Sequence, residues 1–155
     1  MKKSIVFSSA TGNTELLAKE IQENIGDTVY FGKPSDEALD ADVIYIGSFA
    51  QAFSCTADIK EFASKISNKK VFLFMTAGYG STTEFFAPIM ASFKENINDT
   101  NEIIGEFICQ GKVSDSKKNA IKQMDEAKFN TMEPELLKAE SHPDANDISN
   151  LKASL

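Results

Sequence analysis

Two short runs, Val43-Ile44-Tyr45-Ile46 and Val71-Phe72-Leu73-Phe74-Met75, are apolar at every position. A strand with water on one side alternates apolar and polar residues. These two do not alternate, so both of their faces must be covered. The intervening segments can supply the cover. Leu16, Leu17, Ile21 and Ile25 recur at helical spacing, and Gly26 ends that helix. Ile59, Phe62, Ala63 and Ile66 mark a second helix, and Phe85, Phe86, Ile89, Met90 and Phe93 a third. Ile5-Val6-Phe7 and Thr28-Val29-Tyr30-Phe31 read as a first and second strand. Ile103-Ile104 and Phe107-Ile108-Cys109 read as a fifth, interrupted at Gly105. Strands that alternate with helices run parallel through crossovers. The expected fold class is therefore α/β, a three-layer sandwich with a five-stranded parallel sheet and helices on both faces.

Beyond the fifth strand, Lys117 to Phe129 reads as one helix with Ile121 and Met124 facing inward. Glu133-Pro134 reads as the start of a short helix, and Asp144 to Leu155 as a last one with Ile148 and Leu151 as its apolar points. No repeat or Pro/Gly-rich linker divides the chain, so residues 1–155 are expected to form one domain.

The formal net charge of −7 disfavours nucleic acid and anionic membrane surfaces, which need a Lys/Arg footprint. No apolar stretch approaches a bilayer span. Two distant cysteines, Cys55 and Cys109, and the single His142 do not make a zinc site, and no metal is expected. Met1-Lys2-Lys3-Ser4 runs straight into a short strand without the longer apolar run of a signal peptide, so a cytoplasmic location is expected.

In a doubly wound sheet, ligands bind beyond the carboxyl ends of the strands. The loop after the first strand is Ser8-Ser9-Ala10-Thr11-Gly12-Asn13-Thr14. It opens a helix, where unpaired N–H groups and the helix dipole favour an anion. It has hydroxyls and a glycine but no Lys or Arg, so neutral donors are expected to hold a phosphate. The GK[ST] ending of a P-loop and the GxGxxG of a dinucleotide site are both absent. The loop after the third strand offers Ser48, Phe49, Ala50, Gln51 and Phe53, and the loop after the fourth offers Ala77, Gly78, Tyr79 and Gly80. Neither carries a charge before Asp58 or Glu84. Phe49, Phe53 and Tyr79 can stack on a flat ring. The competing reading of Phe49 and Phe53 is ordinary core packing. A neutral ring with one anionic tail matches flavin mononucleotide (FMN). Neither ring loop contains His, Lys, Arg, Asp or Glu, so no catalytic residue is assigned.

The pattern Ser9-x-Thr11-Gly12-x-Thr14 after a first strand resembles the phosphate loop of the flavodoxin family. The resemblance implies strand order 2-1-3-4-5 and FMN at the switch point, flavodoxin being a standing example of that order. The second loop has no glycine after Gly47, and acidic residues are missing around the ring. The resemblance thus extends to flavin binding and not to a very low reduction potential. Phe107-Ile108-Cys109-Gln110-Gly111-Lys112 and His142-Pro143-Asp144 resemble short flavodoxin-like proteins that accompany bilirubin reductase in anaerobic gut bacteria. That implies an electron carrier whose redox partner protein is a bilirubin reductase. Two alternatives stay open, an NAD(P)H-dependent flavin or quinone reductase and a flavin-free interaction module on the same fold. A phosphorelay receiver is excluded, since Ser8-Ser9 and Gly47-Ser48 stand where it needs acidic residues. A serine hydrolase is excluded by the lack of Gly-x-Ser-x-Gly.

Overall fold

Five strands pair in parallel in the order β2-β1-β3-β4-β5 in the computed structural model, which describes residues 1–155. They are β1 (Lys3–Phe7), β2 (Tyr30–Gly32), β3 (Val43–Phe49), β4 (Lys70–Ala77) and β5 (Glu102–Gln110). Helices α1 (Asn13–Ile25), α2 (Ala57–Ala63) and α3 (Thr83–Lys94) provide three of the crossovers, and a 3₁₀ turn at Asp36–Asp40 joins β2 to β3. After β5 come α4 (Asp115–Met124), α5 (Glu126–Lys138) and α6 (Ala145–Ser154).

The unbroken apolar runs behave as their composition requires. Val71, Leu73 and Met75 face one layer with Ile59, Phe62, Ile89 and Phe93 of α2 and α3. Phe72 and Phe74 face the other with Leu17 and Ile21 of α1 and Leu151 of α6. Each such side chain removed from water contributes about 1.5–3 kcal/mol, so the two central strands carry much of the stabilisation. Their carboxyl ends are thereby fixed, and so are the loops that follow.

Several local readings change. Met124, expected to face inward, is exposed. The second strand begins at Tyr30, because Val29 lies outside it and is exposed. The fifth strand is not interrupted by Gly105. It bulges instead: Val71 pairs Ile103 while Phe72 pairs Gly105, which leaves Ile104 as the extra residue. The expected helix from Lys117 to Phe129 breaks at Asp125. That residue ends α4, and its carboxylate accepts from the Lys128 amide at 3.0 Å to start α5. An Asp side chain competes with the backbone and favours such a cap over a helix interior. Pro134 does not open a helix but lies inside α5, two residues before the buried Leu136. No helix is long and apolar enough to cross a membrane.

Candidate functional site

The loop after β1 wraps the N-terminus of α1. Gly12 has φ 97°, a conformation that costs a side-chain-bearing residue energy but not glycine. This turn brings the Gly12 and Glu15 amides onto Ser9 Oγ at 3.2 and 3.3 Å. The amides of Thr11, Asn13 and Thr14 find no acceptor in the chain. They are the orphan donors expected of a helix start. Ser9, Ala10, Thr11, Asn13 and Thr14 line a narrow cleft there. Thr14 Oγ1 also meets Thr76 Oγ1 of β4 at 3.0 Å in the buried interior, which ties the helix to the strand end. Ser8 continues the sheet pattern through its amide to Gly47 O at 3.1 Å.

The far wall of this cleft comes from a segment that was not expected to reach the site. Gly111, Lys112, Val113, Ser114 and Lys117, after β5, line it together with Phe49, Ala50, Thr76 and Gly78. The Asn13 amide side chain donates to Lys112 O at 2.8 Å and so joins the two walls. Beside the neutral donors of the loop after β1, two lysines, Lys112 and Lys117, thus line the cleft. The rule that ligands lie beyond strand carboxyl ends applied to β5 as well and would have found them.

A larger, mostly apolar groove of about 460 Å³ adjoins the cleft and shares Ala50, Gly78, Val113 and Lys117 with it. Its near wall is Ala52, Phe53, Ala77, Tyr79, Phe85 and Ile89, and its far wall is Ile121, Lys128, Thr131, Met132 and Leu136 of the α4–α5 hairpin. Tyr79 and Phe53 both lean on Phe85, with ring centroids 5.3 and 6.4 Å apart. Phe53 stays 69% exposed at the tip of a two-residue turn. Gln51 and Ser54 exchange hydrogen bonds of 2.8 and 3.0 Å across that turn. Ala52 and Phe53 there have φ 50° and 60°. A side chain in the left-handed region costs about 1 kcal/mol, so the rest of the loop must hold this turn.

The expected ring residues separate into two sets. Phe53, Tyr79, Ala50, Ala77 and Gly78 gather on the groove, whereas Phe49 is half-buried against the phosphate-loop cleft. Core packing does not account for Phe53. Ser48 is fully buried, and its hydroxyl serves the loop itself, donating to Phe49 O at 2.8 Å and accepting from the Thr56 amide at 3.0 Å. That burial corrects its expected place among ligand contacts. Gln51 is exposed in the turn, and Gly80, with φ 90°, is buried against Phe85.

The lining of both clefts contains Lys112, Lys117 and Lys128 and no carboxylate. On a chain of net charge −7 this is a local reversal of sign. The two cysteines are elsewhere: both are buried, and burial raises both thiols above their ordinary pKa. His142, Asp144 and Asp147 lie close together. Helix capping explains them, since Asp144 and Asp147 form a reciprocal capping box for α6 and His142 Nδ1 meets Asp147 Oδ2 at 2.5 Å.

A helix start with orphan amides thus opens into a mostly apolar, aromatic-walled groove. Comparisons with known proteins show the family and the fold. The flavodoxin-like domain-containing protein BilS of Clostridioides difficile is 30% identical over 162 residues, 96% of this chain and 90% of that protein. Flavodoxin 2 of Bacillus cereus superposes with a TM-score of 0.60 at 16% identity, covering 99% of this chain and 94% of that one. A flavoprotein solved with FMN from Lactobacillus acidophilus gives 0.56 at 21% identity, covering 70% and 93%. The flavodoxin domain model matches residues 4–155, and the chain belongs to that family.

Proposed function

We propose that this protein binds FMN and acts as an electron carrier to a partner protein. The observation that carries this reading is the continuity of the two clefts, one with the orphan amides of an α-helix start and one walled by Phe53, Tyr79 and Phe85. FMN supplies electron transfer through its ring when bound. The chain's own residues bind and position it. Thr11, Asn13 and Thr14 present free amides to the phosphate. Tyr79 and Ala50 bracket the ring groove, and Ile121, Met132 and Leu136 exclude water from its far side.

Neither cleft is lined by His, Asp or Glu, so the chain has no carboxylate or imidazole there to move a proton for a substrate. This favours a carrier over a reductase. The similarity to a BilS protein, together with the sequence likeness of Phe107–Lys112 and His142–Asp144, supports a bilirubin reductase as the partner. The net charge of −7 suits a basic docking face on it.

The first test is a visible spectrum of the purified protein, with any released chromophore identified by chromatography; FMN is expected. The second is steady-state kinetics with NADH or NADPH and a panel of small acceptors. Turnover is expected to be slow alone and restored by a second redox protein, with bilirubin and its reductase as the first pair to try. Turnover by the isolated protein at tens per second, a common enzyme rate, overturns the carrier reading.

A further inference from the structure

The loop after β1 has no cation of its own, yet two lysines of the segment after β5 line its cleft. Lys112 lines the cleft at the root of the α4–α5 hairpin. Lys117, in the first turn of α4, lines both the cleft and the apolar groove. Neither residue is in a contact ion pair, although the Lys112 charge also acts on the Glu140 carboxyl. Every other lining residue of the cleft is uncharged.

The placement of these lysines is determined by backbone contacts. The Gly111 amide donates to Ala77 O at 3.0 Å, and the Lys112 amide donates to His142 O at 2.9 Å. Lys112 O accepts from the Asn13 side chain at 2.8 Å, so the root of the hairpin is tied to the phosphate loop itself. Ser114 then caps α4, accepting from the Lys117 amide at 3.2 Å. The first turn of α4 is therefore held beside the start of α1, with Lys117 between cleft and groove.

We infer that Lys112 and Lys117 form a cationic clamp that closes on the ligand's phosphate from the side opposite α1, and that this clamp selects FMN over flavin without a phosphate. The inference rests on the flavin reading above. A phosphate at an orphan-amide site keeps most of its negative charge, and an ammonium adds a charge-assisted contact that neutral donors lack. Both lysines are exposed, so their attraction is screened by salt. The clamp also links the hairpin to the ligand, because Lys117 belongs to the helix that supplies Ile121 to the groove wall.

The experiment is a titration of the apoprotein with FMN and with riboflavin, read by flavin fluorescence at low salt and near ~0.5 M salt, where exposed charges are strongly screened. Parent, K112Q/K117Q and K117R are compared after their folds are matched by circular dichroism. The parent is expected to prefer FMN, with the preference narrowing as salt rises. K112Q/K117Q is expected to lose roughly tenfold in FMN affinity, the scale of one or two exposed charge contacts. Its riboflavin affinity should not change, and most of its salt dependence should vanish; K117R should behave as the parent. Equal FMN affinity and equal salt slope in parent and K112Q/K117Q overturns the clamp and leaves flavin binding standing. Failure of the parent to bind either flavin overturns the flavin reading and the clamp with it, a distinct result.

Discussion

Helices α1 and α3 differ from α4 and α5 in what they bury. α1 buries Thr14, Leu17, Ala18 and Ile21, and α3 buries Phe86, Ile89, Met90 and Phe93. α4 buries nothing, and α5 buries only Leu136. Most helical stability in proteins comes from packing an amphipathic face, so the hairpin must be ordered by other means. Its means are local: the Ser114 and Asp125 caps, the Lys122 ammonium over the Phe129 ring at 5.9 Å, and the Lys118–Glu140 ion pair at 2.6 Å. Each is worth little alone. The difference separates two tasks. The sheet with its covering helices fixes where the strand ends lie, and the hairpin shapes the groove beyond them. An element with few buried contacts opens at lower free energy than the core.

Truncating one side chain in each region tests that separation most strongly. Phe74 is fully buried in the central strand. Phe74→Ala should cost about 3–5 kcal/mol, the usual scale for a buried aromatic. Ile121→Ala in the hairpin should cost less than about 1 kcal/mol of global stability while weakening flavin binding. Urea unfolding with a flavin titration reads both quantities. Comparable stability losses at the two positions would remove the distinction.

A single added methyl sharpens it. A Cβ at Gly47 would stand 2.1 Å from the Phe74 ring, at the centre of the sheet. A Cβ at Gly78 would stand 2.3 Å from Val113 Cγ2, at the root of the hairpin. Gly47→Ala should cost about 1–3 kcal/mol by overpacking a core that has no room to give. Gly78→Ala should be milder in thermal unfolding, since the hairpin root can shift, yet should reduce flavin affinity more than its stability loss explains. Tyr79→Ala tests the near wall of the same groove. It should weaken flavin binding by about 1–3 kcal/mol through lost stacking and burial, with little change in the unfolding midpoint. Unchanged affinity places the ring elsewhere.

The same contrast explains what could be read from the sequence. Val43–Ile46 and Val71–Met75 announce a sheet covered on both faces because burial leaves a compositional mark along the chain itself. The cleft at the start of α1 was legible for a similar reason: strand, turn and helix start are contiguous. The far wall was not. Lys112 and Lys117 look like the solvated start of any charged helix, and only the tie from Asn13 to Lys112 O brings them to the cleft. Asp125 gave a signal that the helical periodicity masked, since an Asp cap and an Asp on an exposed face read alike. Ser48 was misplaced because a buried hydroxyl satisfied by its own loop cannot be told from a ligand donor without the fold.

Acid should produce the smallest effect and the most local one. Glu140, paired with Lys118, has its carboxyl held below the ordinary range by that hydrogen bond and charge. Glu135 is lowered chiefly by the hydrogen bond it accepts from Lys138. A carboxyl whose pKa is lower in the folded state stabilises that state fully above its unfolded pKa, and the benefit fades as pH falls through the folded value. Both groups therefore support the hairpin at neutral pH, and that support begins to fade near about pH 4, the ordinary carboxylate range, and goes as pH falls through their lowered values. The two apolar clusters that cover the sheet contain no carboxylate, so these protonations leave their packing intact. Amide protection factors measured near neutrality and in mild acid should then fall across residues 115–138 while β1, β3 and β4 keep theirs. Glu140→Gln should bring part of that loss to neutral pH. A uniform fall across sheet and hairpin, or equal protection of the hairpin at both pH values, would mean that these carboxyls do not hold it.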